Sequence, residues 1–521
     1  TWWRWLWKIL MPEFSPVSFS EVWETTLKNH ADDTFLIFEN LESDTVQWTY
    51  KDFNKEVSKI AGLLLEHGVE SGDSVHLALS NCPVFIAVWL AAIRLGAWIV
   101  PSDPMGGSED LSSHIERTSP KVGFCAKTRS EVYKEACGNL PFIEIDETST
   151  LLELCDVSEI ESWPAPNHLD RAAVMFTSGT TGLPKGVEIT QANYAFAGQA
   201  MAKAASLTHN DRQFVVLPLF HANAQYYSFA SAIHVGASVA LMANFSASQF
   251  LQQAARHEVT AASLFAAPIR MILARGKPVE GLKLRHCWFA QNITQEQYET
   301  VVEWFGCKPR QLYGMTETIP AVLTDEIENP NPSSMGLVTS GCLVDIQRPD
   351  GSSVEPNEVG EVVVGGEIGI NIFNGYLDAP AITKESFRDE WFLTGDRAKR
   401  DVDGKFFFDG RRSDVLKVSG ENVSIVEVES ILSEHPGVLE AAVVGLPDDI
   451  RDEVPVAYVV PAPDGGLPSL EDLFEWCEKR LTKAKRPQRI TFLDELPRTS
   501  VGKIRKYLLL EEGESNDNTD E

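Results

Sequence analysis

The sequence predicts an α/β protein, with a large N-terminal part of parallel and mixed sheets flanked by helices and a small α+β C-terminal domain. Three observations lead there. The chain has 521 residues, beyond the ~250–300 at which one hydrophobic core stops growing. Short apolar strands alternate with helical periodicity from residue 49 onward. After Gly410 that pattern gives way to a charged segment and a new set of elements.

The elements read in order. Thr49 caps a helix whose apolar stripe is Phe53, Val57, Ile60, Ala61, Leu64 and Leu65, and Gly68 ends it. Val75–Leu79 reads as a strand. Pro83 starts a helix that Gly96 stops, and Ala97–Val100 is the next strand. Phe214–Leu217 and Ser238–Leu241 continue the alternation, which implies helices on largely parallel sheets. Past Gly410 come a helix near Val426–Leu432, strands near Ala441–Val444 and Val456–Val460, and a helix near Leu470–Leu481. The expected division is a Trp-rich extension 1–10, a large domain 11–412, a C-terminal domain 413–510 and an acidic tail 511–521.

Composition narrows the function. With 44% hydrophobic and 23% charged residues the chain is an ordinary globular one. A net charge of −30 argues against nucleic acid as a partner. Eight cysteines without a CxxC pair or a Cys/His ligand spacing read as reduced core residues of a cytoplasmic protein. No apolar run reaches the ~18 residues of a membrane span. Four tryptophans with Arg4 and Lys8 in residues 1–10 have the composition of an interfacial segment. Packing, or a start site at Met11, is the preferred reading. Residues 511–521 carry six acids and no base, the pattern of a solvated tail. Lys483, Lys485, Arg486, Arg498, Lys503, Arg505 and Lys506 form a basic strip that reads either as a solvated face or as a binding surface for an anion.

The strongest chemical signal follows the apolar run Ala172–Met175, a buried strand by pattern. The next stretch is Phe176-Thr177-Ser178-Gly179-Thr180-Thr181-Gly182-Leu183-Pro184-Lys185-Gly186. Glycines let backbone N–H groups approach a ligand, hydroxyls donate and lysine adds positive charge, which together make a phosphate cradle. It is not a Walker A loop, because Lys185 lies between Pro184 and Gly186 with no Ser or Thr after it.

This segment resembles the phosphate loop of the acyl-adenylate-forming enzymes: acyl-CoA synthetases, peptide-synthetase adenylation domains and firefly luciferase. Four further blocks agree in order across the chain. They are Tyr313-Gly314-Met315-Thr316-Glu317-Thr318, Trp391-Phe392-Leu393-Thr394-Gly395-Asp396, Gly410-Arg411-Arg412-Ser413-Asp414 and Pro497-Arg498-Thr499-Ser500-Val501-Gly502-Lys503. Phe220-His221-Ala222-Asn223-Ala224-Gln225, Asn292-Ile293-Thr294 and Ser419-Gly420-Glu421-Asn422-Val423-Ser424 are most similar to the carnitine/crotonobetaine-CoA ligase branch.

The resemblance implies an ATP-dependent, AMP- and pyrophosphate-forming ligase with Mg²⁺ as cofactor and coenzyme A as co-substrate. A carboxylic acid is adenylated and its acyl group passed to a thiol, with a mobile C-terminal domain serving each step in turn. Thr177, Ser178, Gly179, Thr180, Thr181, Gly182 and Lys185 are implied for the β- and γ-phosphates. Thr316 is implied for the α-phosphate, Glu317 and Thr180 for the metal, and Asp396 for the ribose. Gln291, Asn292, Tyr313, Gly314, Met315, Phe408 and Arg411 complete the nucleotide site. Lys503 is implied as the adenylation lysine, with Thr316, Glu317 and His221 beside it in the catalytic set. Phe220, His221, Ala222, Asn223, Ala290, Gly314, Met315 and Ile319 are implied for the acyl pocket. Lys417, Ser419, Gly420, Glu421 and Asn422 are implied for the thioester-forming orientation, and Ser413 is implied as the hinge, where relatives often carry aspartate or lysine.

Two departures qualify the match. Phe289-Ala290-Gln291-Asn292 stands where the family usually has a Gly-Gly-Ala-like segment, and the aspartate of amino-acid-activating relatives is missing near Phe220. A separate carrier protein in place of CoA, and a non-catalytic nucleotide-binding paralogue, are the competing readings. Oligomeric state is read as monomer or homodimer.

Overall fold

The computed structural model describes residues 15–149, 160, 162–177, 184–411, 415–418, 421–448, 451–462, 467–498 and 504–510. The Trp-rich segment, Ser178–Gly182, Ser413, Ser419, Gly420, Lys503 and the acidic tail lie outside the described residues, and the side chains of Glu421 and Asn422 with them.

Local signals set the first elements. The Thr49 side chain accepts from the Asp52 N–H and starts the helix Tyr50–Glu66. Phe53, Val57, Ile60, Ala61 and Leu64 are buried as expected, but Leu65 is 47% exposed. Each four-residue step from Val57 through Ala61 overshoots a full turn by ~40°, so Leu65 rotates off the buried face. The helix Pro83–Leu95 begins on its proline and stops at Gly96, which takes the left-handed φ of +76°. All of its residues are buried, so it is a core helix rather than an amphipathic one.

Two large sheets contribute side chains to the core that contains it. One has seven strands: a parallel part, Phe142–Ile145, Val122–Ala126, Ser74–Ala78, Trp98–Pro101 and Arg171–Thr177, then Lys185–Thr190 and Gly375–Tyr376 added antiparallel. The other has nine strands, with Thr34–Glu39, Ser238–Met242, Arg212–Val215, Ala261–Phe265, His286–Ala290 and Arg310–Tyr313 running parallel at its centre. A third, antiparallel sheet runs Leu343–Gln347, Val359–Gly365, Trp391–Arg400, Phe387–Arg388, with Phe406–Arg411 paired on Trp391–Arg400. One hydrophobic core draws on all three: Leu77 and Ile99 from the first, Leu36 and Val239 from the second, Val362 and Phe392 from the third. Each large apolar side chain so enclosed stabilises the fold by about 1.5–3 kcal/mol.

The C-terminal residues build a fourth sheet, Glu421–Ser424, Val415–Val418, Asp452–Pro461, Val438–Asp448, with Arg489–Phe492 added parallel. It has its own cores on its two faces, under the helices Ile425–Ser433 and Leu470–Glu478 and under Leu496 and Leu509. The basic strip reads differently in three dimensions. Lys485 pairs with Glu427, Arg486 with Glu478, Arg498 with Glu440 and Lys506 with Glu429. Acids distant in sequence engage much of it, so sequence adjacency overstated the free positive charge. The described cysteines are free thiols, and no helix among the described residues is long and apolar enough to cross a membrane.

Asp211, at the start of the strand Arg212–Val215, pins that sheet. It accepts from Arg285 at 2.8 and 2.7 Å, from the Thr260 hydroxyl at 2.7 Å and from the Thr208 N–H at 2.8 Å. Burial pushes its carboxyl up, but these donors outweigh burial and hold it at about 2. The depressed value contributes about 2 kcal/mol of stability above the unfolded value near pH 4, lost as pH falls toward 2. Asp211→Asn should therefore lower the thermal midpoint at pH 7, with the deficit shrinking between pH 4 and 2; a deficit independent of pH across that window would overturn the assignment.

Candidate active site

The strands Arg171–Thr177 and Lys185–Thr190 pair antiparallel, with Thr177 opposite Lys185 and Phe176 opposite Gly186. The Thr177 hydroxyl donates to the Lys185 carbonyl at 3.4 Å. The glycine- and hydroxyl-rich stretch thus connects two adjacent strands, and both stems are gripped from outside. Arg117, on the helix Ser108–Thr118, donates to the Pro184 carbonyl at 2.6 Å and holds its guanidinium 4.7 Å from the centre of the Phe176 ring. His114, one turn earlier, stacks on Phe176 at 3.9 Å with 7° between the planes. Burial, then Arg117, pushes His114 down to about 4, so the ring is neutral at pH 7. Its Nδ1 lies 2.8 Å from the Ser102 hydroxyl, which lies 3.0 Å from His76 Nε2; His76 Nδ1 is 2.7 Å from the Tyr133 hydroxyl. A buried hydrogen-bonded chain backs the clamp.

On its inner side Lys185 meets Tyr376, with Nζ 4.9 Å from the ring centre. Tyr376 is there because Gly375–Tyr376 pairs with Lys185–Thr190. Its hydroxyl donates to Glu317 Oε1 at 3.0 Å. Burial, then Glu317, pushes the Tyr376 hydroxyl well up, so it stays a donor. Glu317 is only 5% exposed. The turn before it is fixed by Thr318, whose hydroxyl accepts from the Met315 N–H at 3.0 Å. Gly314 cannot be larger: a Cβ there would stand 2.8 Å from the Ala321 Cα and 2.9 Å from the Pro320 carbonyl oxygen. Thr316, half-buried, lies inside this turn.

The other end of the same segment is held by Asp396. The Tyr313 hydroxyl donates to Asp396 Oδ2 at 2.7 Å, and Arg411 Nε donates to Oδ1 at 2.9 Å. Asp396 and Arg411 face each other across paired strands, and Phe408 lies further along, opposite Ala398.

On a third side, the Phe220 and His221 rings meet at 4.5 Å. They lead into a π-helical stretch, Asn223–Ala230, whose residues are all buried; such wide turns are frequent at functional sites. Phe220, His221, Ala222, Ala290, Gly314 and Met315 are half-buried, and Asn223 is nearly enclosed. Ile319 has no exposed surface and packs in the main core, behind this wall. Gln291 takes a φ of +73° and is exposed, as is Asn292. The Asn292 carbonyl accepts from Arg270 Nη2 at 2.7 Å and its side-chain oxygen from Gln311 at 3.2 Å. Lys417 is exposed, with Asn422 opposite it across a strand pair.

Sequence reasoning missed Tyr376, Arg117 and His114. None sits in a chemically distinctive motif, and each reaches the site through pairing or packing from another part of the chain. Among the described residues no group of three or more His, Cys, Asp or Glu could hold a metal. A lone buried carboxylate such as Glu317 suits a magnesium ion that brings phosphate and water ligands with it, and does not suit an all-protein cage.

Known proteins are similar to this chain over nearly its whole length. Residues 23–377 match the AMP-binding enzyme family and residues 427–503 the AMP-binding enzyme C-terminal domain. The crotonobetaine/carnitine–CoA ligase of Proteus mirabilis is 32% identical over 515 residues, covering 94% of this chain and 98% of that one. The o-succinylbenzoate coenzyme A synthetase of Bacillus subtilis, solved in complex with ATP and magnesium ion, is similar at a TM-score of 0.82 and 29% identity, covering 94% of this chain and 99% of that one. An anthranilate CoA ligase solved with anthranoyl-AMP shares the fold at a TM-score of 0.86 and 24% identity, covering 96% and 98%. The chain belongs to the AMP-binding enzymes of the acyl-adenylate-forming superfamily, as an AMP-forming acyl-CoA ligase.

Proposed function

We propose that the enzyme uses ATP and CoA in two half-reactions at one site shared by its large part and a C-terminal domain that turns about Ser413. In the first, a carboxylate oxygen of the acid attacks the α-phosphorus, the bond to the bridging oxygen breaks and pyrophosphate leaves. In the second, the CoA sulfur attacks the acyl carbon, gives up its proton, and AMP leaves with the electrons of the acyl–oxygen bond. The link from Lys185 through Tyr376 to Glu317, with Asp396 bonded to Tyr313 at the other end of the segment, is the observation that carries this reading. Both steps join or separate anions, so alignment and charge neutralisation do most of the catalysis.

In this proposal Thr177, Lys185 and the loop Ser178–Gly182 hold the β- and γ-phosphates, and Thr316 the α-phosphate. Asp396, oriented by Tyr313 and Arg411, accepts from the ribose hydroxyls. Glu317, with Thr180, would hold magnesium, whose positive charge would offset that of the phosphates. Lys503 bridges the acid and the α-phosphate. Phe220 and His221 gate the acyl pocket. Lys417 and the segment Ser419–Asn422 serve the thiol step. The acid is a carboxylic acid without a required α-amino group, since no aspartate stands near Phe220 to receive one.

Pyrophosphate, AMP and thioester should be measured with MgATP across butyrate, benzoate, dodecanoate, crotonobetaine and a polycyclic acid, each with CoA, with a phosphopantetheinylated carrier, and with neither. The expected result is CoA-dependent thioester with stoichiometric AMP for at least one acid. Thioester on the carrier alone would replace CoA as the acceptor, and no acid-dependent pyrophosphate release would overturn the reading. Lys503→Ala should cut adenylation by about 10²–10³-fold while thioester formation from a supplied acyl-adenylate changes little; near-normal adenylation would remove Lys503 from its role. Arg117→Ala should raise KM for ATP roughly tenfold at nearly constant kcat, the signature of lost uniform binding. An unchanged KM would mean the loop stems need no clamp.

A further inference from the structure

Arg270 stands on the helix Ala266–Arg275, outside every motif of the nucleotide site. Its guanidinium faces two ways. Nη2 donates to the carbonyl of Asn292, a residue expected in the nucleotide site, at 2.7 Å. Nη1 lies 3.9 Å from Glu440 Oε2, on the C-terminal strand Val438–Asp448. The same carboxylate oxygen accepts from Arg498. Arg498 in turn forms an antiparallel bridge with Ile504. These two residues flank the segment that contains Lys503.

Each of the three charged side chains is less than a quarter exposed. Water screens such a group less than a surface pair, and removing one member leaves a charge poorly compensated. The planar fork of arginine can serve a backbone carbonyl and a carboxylate at once, which an ammonium point charge does less well. Glu440 is therefore held from both sides, by the large part of the chain through Arg270 and by the base of the Lys503 segment through Arg498.

We propose that Arg270 is a positioning residue for adenylation: by docking Glu440, and through it Arg498, it holds the C-terminal domain against the nucleotide side of the large domain. This rests on the assignment of Lys503 to adenylation. The contact joins parts that must separate when the C-terminal domain turns, so it favours the adenylating orientation and contributes nothing to thioester formation. Arg270 touches no reacting atom in this proposal and acts through Glu440 and Arg498.

The test separates the two half-reactions in the full-length enzyme. Arg270→Ala and Glu440→Gln should each slow acid-dependent pyrophosphate exchange on the order of tenfold, as misplacement of a catalytic group does. Thioester formation from a supplied acyl-adenylate should stay near the wild-type rate. The double variant should be no slower than the worse single one, because both remove one contact, and Arg270→Lys should fall between. Glu440→Gln leaves the bond from Arg270 to Asn292 in place, so a deficit confined to Arg270→Ala would mean that Arg270 merely supports that loop, and would overturn the proposal. Equal loss in both half-reactions would also overturn it. A second measurement needs no acid: hydrogen–deuterium exchange with MgATP alone. Peptides covering 266–275 and 438–444 should exchange faster in Arg270→Ala, with the core strand Asp452–Pro461 unchanged; identical exchange would defeat the contact. If Lys503→Ala keeps full adenylation, the Lys503 assignment fails, and the exchange data still decide whether Arg270 docks the C-terminal domain.

Discussion

The segment Tyr313–Glu317 is held at both ends, and the arrangement of the site depends on it. At one end the Tyr313 hydroxyl is bonded to Asp396, from the antiparallel sheet. At the other, Glu317 accepts from Tyr376, a residue of the seven-stranded sheet. The segment itself leaves the nine-stranded sheet after Arg310–Tyr313. Three sheets thus meet on five residues. A group held from three sheets that share one core is fixed relative to all of them, which is how alignment is built in before a substrate arrives. The tight approach at Gly314 belongs to the same constraint, because a side chain there would push the turn off Pro320 and Ala321.

Electrostatics explains why the cations near this segment are tethered. The chain carries a net charge of −30, so the long-range field disfavours an anionic ligand, although salt screens it beyond about 10 Å. Short-range order must therefore attract the ligand. Arg411 is seated on Asp396, Lys185 lies over the Tyr376 ring, and Arg270 and Arg498 share Glu440. Each cation is fixed by a partner that limits its positions without removing its charge. A flexible lysine or arginine would lose side-chain entropy on binding a phosphate; these have already lost much of it.

Much of this was legible in the sequence where a residue's role is set by its neighbours along the chain. Pro83 and Gly96 bound a helix because their backbone preferences act locally. Ala172–Met175 lies in a buried strand that runs into the phosphate-loop stem. Strand ends shifted by a residue or two, as at Ser74–Ala78 and Arg212–Val215, because partner strands decide where pairing stops. Leu65 misled because apolar character was counted without its angle around the helix. The basic strip left two readings open because the acids that pair with Lys485, Arg498 and Lys506, namely Glu427, Glu440 and Glu429, arrive from earlier in the C-terminal domain. Tyr376 and Arg117 were illegible for the same reason: each acts on a stem more than 60 residues away, through register or packing that no spacing encodes.

That division between local and distant signals bears on how the enzyme can be specific. The residues legible from motifs are chiefly those proposed to meet ATP, a ligand whose chemistry is common to the family. The elements read only from three-dimensional packing surround them: Tyr376, Arg117 and His114 at the loop stems, the π-helical stretch Asn223–Ala230 and the Arg270–Glu440 pair. A π-helical stretch widens each turn and re-aims the side chains that follow it, and this one also reaches the nucleotide side, since the Tyr227 hydroxyl would stand 3.2 Å from a Cβ at Gly314. The nucleotide side is confined by the three sheets that converge on Tyr313–Glu317. Phe220 and Ala222, of the proposed acyl wall, pack against the main core, and the π-helical stretch that follows them contributes to that core. On the proposed roles, a substitution at the half-buried Phe220 or Ala222 can alter the acyl side while the hold of Asp396 and Tyr376 on Tyr313–Glu317 stays in place.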